Sequence, residues 1–165
     1  MSRDAVCRLY EQDAIRRVTG EAIRPGGLEL TERALALLSP PPGARVLDVG
    51  CGAGASVDYL GDGHGLVALG VDPSAVLTRT GRRRRPDLPL LRGQGERLPI
   101  ADGAVDVVLA ECSLSVMVDL DRALTEFRRV LRNGGAMVVS DVYARNPALV
   151  PALRRLPVTC CLRGA

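Results

Sequence analysis

The chain contains no lysine. All 22 of its basic residues are arginine, set against 19 acidic residues, for a formal net charge of +3. So small a surplus gives no field strong enough to hold nucleic acid. Tryptophan is also absent, and the aromatics are Phe127, Tyr10, Tyr59 and Tyr143, so stacking platforms for unpaired bases are nearly missing. The four arginines at 82–85, ending at Pro86, read as a solvated helix C-terminus, where the helix dipole favours cations. No nucleic-acid partner is expected. One histidine, His64, and five cysteines without C-x-x-C spacing argue against a zinc site or a disulfide framework, and no metal site is expected. No apolar run approaches membrane-spanning length, and the opening MSRDAVCRLYEQDAIRR lacks the apolar core of a secretory leader. The expectation is a cytoplasmic protein with reduced thiols and no membrane association.

What is present is the composition of one globular domain: 165 residues, 47% apolar and 25% charged. With so few aromatics its core must be leucine, valine and alanine. Residues 4–18 and 28–38 read as helices, and SPPPG ends the second, because consecutive prolines cannot continue a helix. Residues 1–43 are therefore expected to form a helical cap and residues 44–165 the main unit. From Arg45 onward short apolar strands alternate with helices: ARVLDV, GLVALGV, LPLLRG, AVDVVLAE and AMVVSDVY are the strands. The segment DLDRALTEFRRVLRNGG is the best helix, with Leu120, Ala123, Leu124, Phe127, Val130 and Leu131 on one face. Asp119 or Asp121 is expected to cap its start and NGG its end. The alternation predicts an α/β fold with a doubly wound, mostly parallel sheet.

The stretch VLDVGCGAGAS leaves an apolar strand, passes three glycines at alternate positions and opens a helix. Two cofactor classes use such a turn. A dinucleotide needs G-x-G-x-x-G, whose third glycine lets helix and strand pack closely. Here Gly54 comes one residue early, and Ala55 holds the true third position. Gly54 is instead expected to keep the loop bare for an amino-acid moiety, as S-adenosylmethionine would require. Asp72 closes the second strand 20 residues after Gly52. An acid there hydrogen-bonds ribose hydroxyls in either class, or caps the next helix with Pro73 in the first helical position.

VLDVGCGAG, then GVDPS, then GERLPIADGAVDVVLAE, then RVLRNGGAMVVSD together resemble the class I S-adenosylmethionine-dependent methyltransferases over about residues 44–145. The resemblance implies a Rossmann-like methyltransferase core that uses S-adenosyl-L-methionine and a small-molecule acceptor. It implies that Asp48, Gly50, Cys51, Gly52 and Gly54 receive the methionine part, that Asp72 with Pro73 binds the ribose, and that Gln94, Gly95 and Glu96 edge the adenine. Many relatives have aspartate where this chain has Gln94, whose carbonyl accepts a hydrogen bond without charge. Such folds usually end in a further helix and an antiparallel strand pair. The pair is expected to be missing here, leaving the core incomplete and its fifth strand an open edge. Self-association or a partner chain would then cover that edge.

Because the sulfonium already activates the methyl group, few catalytic groups are needed. Glu111, at the end of the fourth strand, is the candidate base or cofactor contact, with Cys112 beside it. The tail DVYARNPALVPALRRLPVTCCLRGA looks most like arsenite methyltransferases, and Cys161 falls on a cysteine of that group. That likeness implies an acceptor-site thiol for a thiol-bound or metalloid acceptor, with Cys7 or Cys112 as a further thiol. Cys160 and Cys161 as packing residues is the other reading. A non-catalytic cofactor-binding or interaction protein, and an NAD-dependent oxidoreductase, are the alternatives to a methyltransferase.

Overall fold

The structure, a computed structural model, describes Tyr10, Glu11, Ala22 and residues 24–142. The helix expected over 4–18 lies outside the described residues save for Tyr10 and Glu11, as do Cys7, Cys160, Cys161 and the rest of the tail. Helix α1, Gly27–Leu38, ends at Ser39, whose left-handed backbone turns the chain into the prolines.

Five parallel strands follow: β1 Arg45–Val49, β2 Val67–Asp72, β3 Leu90–Arg92, β4 Val105–Glu111 and β5 Leu131–Ser140, in the order β3-β2-β1-β4-β5. Between them run α2 Ala55–His64, α3 Ala75–Arg84 and α4 Leu120–Val130, with a short 3-10 turn at Leu114–Val116. The chain builds outward from β1 through β2 to β3, then crosses back to place β4 on the other side of β1. The C-terminal ends of β1 and β4 thus flank the point where the winding reverses, which is where open α/β sheets hold ligands. Side chains alternate across the sheet, so each strand feeds two cores. Val46, Ala68, Val107 and Leu109 pack with Leu35, Val57 and Leu60 on one face. Leu47, Val49, Val71, Val108 and Ala110 pack with Ala123, Phe127 and Val130 on the other.

Three local expectations need correction. Helix α3 starts at Ala75, and its cap is Ser74, whose hydroxyl accepts from the Leu77 amide at 3.1 Å. Neither Asp72 nor Pro73 holds the position assigned to it. Helix α4 is capped by Asp119, as expected, but it stops at Val130, and NGG is not its cap. Leu131 already pairs with Val105, and the next strand pair is Val107 with Ala136. The residues between interrupt the ladder, and the Arg132 side chain donates to Asp106 there. Leu120, expected on the apolar face of this helix, is 48% exposed, while Ala123, Phe127 and Val130 are buried.

Candidate functional site

One cavity opens over the C-terminal ends of β1, β2 and β4, lined among others by Gly50, Gly52, Asp72, Gln94 and Glu111. The glycine loop forms its floor. The Gly50 amide donates to the Val71 carbonyl at 2.8 Å, tying the loop to the end of β2. Gly52 has φ +58, and a Cβ built there meets nothing within 4 Å. Gly54 differs. With φ +79, its Cβ would lie 2.7 Å from Leu88 and 2.8 Å from Leu90, and it does not line the cavity. The expectation that Gly54 bares the loop for a ligand is therefore corrected: it faces the core, and its missing side chain lets α2 settle on Leu88 and Leu90. Cys51 lines the cavity but also packs in the core beside Gly70, and burial pushes its thiol well up.

Three carboxylates stand on one face of the sheet at the strand ends beside this loop. Asp48 pairs in register with Gly70 and Leu109, so β1 stands between β2 and β4. Alternation puts Asp48, Asp72 and Glu111 on the same face as Val46, Ala68 and Leu109. Asp72 accepts from the Gly52 amide at 2.9 Å and from the Ser74 amide at 2.8 Å. Burial raises its pKa against these two bonds. Each oxygen keeps a second lone pair for another donor.

Glu111 does not stand free. Its carboxylate pairs with the Arg24 guanidinium at 3.0 Å and accepts from the Thr31 hydroxyl at 3.0 Å. Burial raises its pKa, while Arg24 and then Thr31 pull it down. Arg24 also donates to Ser56 at 3.0 Å, to Thr31 at 2.6 Å and to the Gly27 carbonyl at 3.1 Å. A residue of the segment before α1 thus joins α1, α2 and β4 at the cavity wall. Asp48 is buried, 4% exposed, immediately before the lining residues Val49 and Gly50. Burial pushes its carboxyl up to about 7, with Glu111 adding to the rise, Arg24 opposing it and Asp72 adding a little.

Gln94, Gly95, Glu96 and Pro73 all line the cavity. Gln94 is exposed and Gly95 lies against Met117, where a Cβ would come within 2.7 Å of the methionine sulfur. The Glu96 carboxylate accepts from the Val118 amide at 2.8 Å, fixing the loop after β4. Cys112 sits at the lip with φ +52 and its thiol pushed up by burial. Sequence reasoning missed Arg24, Thr31, Ser56 and Ser113. Ser113 donates to the Val49 carbonyl at 2.6 Å and locks the ends of β1 and β4 together. Nothing local marks Arg24, because its partners lie up to 87 residues away in sequence by Glu111 (24 to 111). Among the described residues no group of three or more histidine, cysteine, aspartate or glutamate side chains is placed to hold a metal ion. No helix among them is long and apolar enough to cross a membrane.

Residues 47–139 match the family described as a methyltransferase domain. The span runs from within β1 to within β5 and covers more than half of the chain, and the chain belongs to that family. It is 37% identical over 139 residues to the demethylmenaquinone methyltransferase of Beutenbergia cavernae, covering 84% of this chain and 55% of that protein. It is 35% identical over 140 residues to the malonyl-[acyl-carrier protein] O-methyltransferase of Pectobacterium atrosepticum, covering 81% of this chain and 54% of that protein. The chain thus spans about half the length of these relatives. Among solved structures, a chain of the complex between the Haloferax volcanii Trm112 methyltransferase activator and a methyltransferase superposes with a TM-score of 0.71 at 24% identity, covering 84% of this chain and 61% of that one. At that identity the likeness speaks for the fold.

Proposed function

We propose that this chain binds S-adenosylmethionine at the ends of β1 and β2 and transfers its methyl group to an organic small-molecule acceptor. One observation carries the reading: Asp72, the acid that would receive the ribose, is hydrogen-bonded to Gly52, the open residue of the glycine loop. A single rigid unit therefore offers a carboxylate and a bare backbone side by side. The residues fit the cofactor, since Gly52 leaves room on the cavity floor and Asp72 keeps lone pairs for two hydroxyls. Gln94 and Gly95, beside Met117, would edge the adenine.

When bound, the cofactor supplies a methyl group already made electrophilic by the sulfonium. The protein has to hold donor and acceptor in line and keep water out. Glu111, tied to Arg24 and Thr31, serves this reading as part of the wall more readily than as a base. The acceptors in the relatives' names, demethylmenaquinone and malonyl-[acyl-carrier protein], are organic. They support an organic acceptor over a metalloid, whose thiols Cys160 and Cys161 lie outside the described residues.

Calorimetric titration with S-adenosylhomocysteine and with NAD tests the cofactor. Saturable binding of S-adenosylhomocysteine alone is expected. Tight NAD binding with no response to S-adenosylhomocysteine would overturn the reading. The Arg24–Glu111 tie favours one second reading, cofactor binding without transfer. Loss of labelled methyl from S-adenosylmethionine onto a demethylmenaquinone analogue would exclude it.

A further inference from the structure

We propose that the loop after β4 is the acceptor-binding rim of this cavity, and that its apolar side chains select an acceptor with a hydrocarbon chain beside its reactive atom. The inference rests on the S-adenosylmethionine reading above and gives the acceptor a chemical class.

In LSVMVDL, residues 114–120, apolar side chains outnumber polar ones. Yet the 3-10 turn Leu114–Val116 buries none of its residues, and Val118 is 71% and Leu120 48% exposed. A run of uncovered apolar side chains on a loop marks a contact surface, where isolated ones would mean little. The loop is also fixed in place. The Ser115 amide and hydroxyl donate to the Asp141 carboxylate after β5 at 2.8 and 2.7 Å, and the Val118 amide donates to Glu96 at 2.8 Å. Asp119, the charged side chain of the segment, accepts from the Arg122 amide at 3.0 Å as the cap of α4. Hydrogen-bonding groups are thus turned to the protein and carbon to solvent.

Position ties this rim to the reaction. Val116 and Met117 line the cavity, and Val118 and Leu120 follow them directly along the chain. The backbone is extended at Met117 and at Asp119, so Val118 and Leu120, two residues apart, face one side. An acceptor has to bring its reactive atom into the cavity, in line with the methyl group, while the rest of it crosses a wall to reach solvent. The wall at Arg24 and Glu111 is an ion pair, and the wall at Asp72 is the proposed ribose site. The loop after β4 offers carbon instead. A hydrocarbon chain laid there leaves water together with the rim. A small hydrophilic acceptor would lose its water with no hydrogen bond in exchange.

Titration calorimetry with para-alkylphenols, from methyl to hexyl, on protein saturated with S-adenosylhomocysteine tests this. Each added methylene should tighten binding about two- to threefold in the wild type. Val118→Ser combined with Leu120→Ser should bring that to about 1.5-fold or less and leave the affinity for S-adenosylhomocysteine unchanged. Val67→Ser, at the start of β2 on the opposite end of the sheet and 59% exposed, should keep the wild-type slope. A flat series in the wild type, an equal slope in the rim variant, or an equal loss in Val67→Ser overturns the proposal. If the double variant does not fold, Val118→Thr, of nearly the same shape, takes its place, and an unchanged slope there overturns the proposal too. Sedimentation of the same variants covers the other occupant. Self-association lost in the rim variant with the alkylphenol slope intact makes the rim a contact between copies of this chain, which overturns the acceptor assignment. Failure of S-adenosylhomocysteine to bind overturns the cofactor reading, and this inference with it. A flat series in protein that does bind it overturns this inference alone.

Discussion

The Gly52 amide donates to one oxygen of the Asp72 carboxylate at 2.9 Å, while the Ser74 amide donates to the other at 2.8 Å. Asp72 is thus a brace as well as the carboxylate proposed to receive the ribose: it holds the glycine loop against the start of α3. Replacing it with alanine removes two charge-assisted bonds and leaves both amides to find other partners. Hydrogen bonds to a charged group are worth roughly 1.5–3 kcal/mol each. Asp72→Ala should lower the melting temperature and weaken S-adenosylhomocysteine binding by about ten- to a hundredfold. Asp72→Asn keeps an acceptor and should lose less of each. Calorimetry and a thermal melt on the two variants check this, and unchanged affinity in a folded Asp72→Ala would leave the residue as a brace alone.

Gly52 and Gly54 should respond to alanine in opposite ways. Both have positive φ, which costs a non-glycine residue roughly 1–2 kcal/mol. A methyl group at Gly52 meets open space, so Gly52→Ala should fold and lose ligand affinity. At Gly54 the added carbon meets Leu88 and Leu90, so Gly54→Ala should lose several kcal/mol of stability by overpacking as well. Chemical denaturation of each variant, set beside its ligand affinity, separates the two roles.

Burial raises the pKa of Asp48 to about 7, and burial raises those of Asp72 and Glu111 as well. A carboxyl whose folded pKa lies above its unfolded value stabilises the fold fully below the unfolded value. That stability is lost as pH rises through the folded one. The free protein should therefore lose stability between about pH 4 and pH 7. Asp48→Asn should flatten that decline by a few kcal/mol, roughly. Asp106, hydrogen-bonded to Arg45 and Arg132 and held below the usual carboxylate range, has the opposite sign, and its loss appears only in stronger acid. Urea denaturation at each pH gives both slopes, and a variant as pH-sensitive as the wild type would contradict this account.

Arg24 and Glu111 form a buried pair, 9% and 1% exposed at the side chain. Removing one partner strands the other's charge in the interior, which costs roughly 3–5 kcal/mol. Arg24→Met should destabilise the fold by that order. Combining Arg24→Met with Glu111→Gln should recover part of the loss, since no unpaired charge then remains. A double-mutant cycle by urea denaturation measures the coupling, and strict additivity would mean that the two side chains act independently.

Local sequence was enough to determine the alternation of strands and helices, because apolar runs bounded by glycine and proline set it within a few residues. The same holds for the glycine turn after β1 and the acid at the end of β2, whose spacing is covalent. The end of α4 was misread because Leu131 continues the helical periodicity, yet pairing with Val105 on β4 claims it for a strand. Only the tertiary structure decided what each glycine faces. Gly52 and Gly54 are two residues apart in one motif, but one borders the cavity and the other packs on Leu88 and Leu90. The electrostatics of the site were likewise out of reach of the sequence. Asp48, Asp72 and Glu111 come together because β1 lies between β2 and β4 in one register, and Arg24 joins them from before the sheet begins. Burial and proximity shift charge, and both arise only once strands distant in sequence lie side by side.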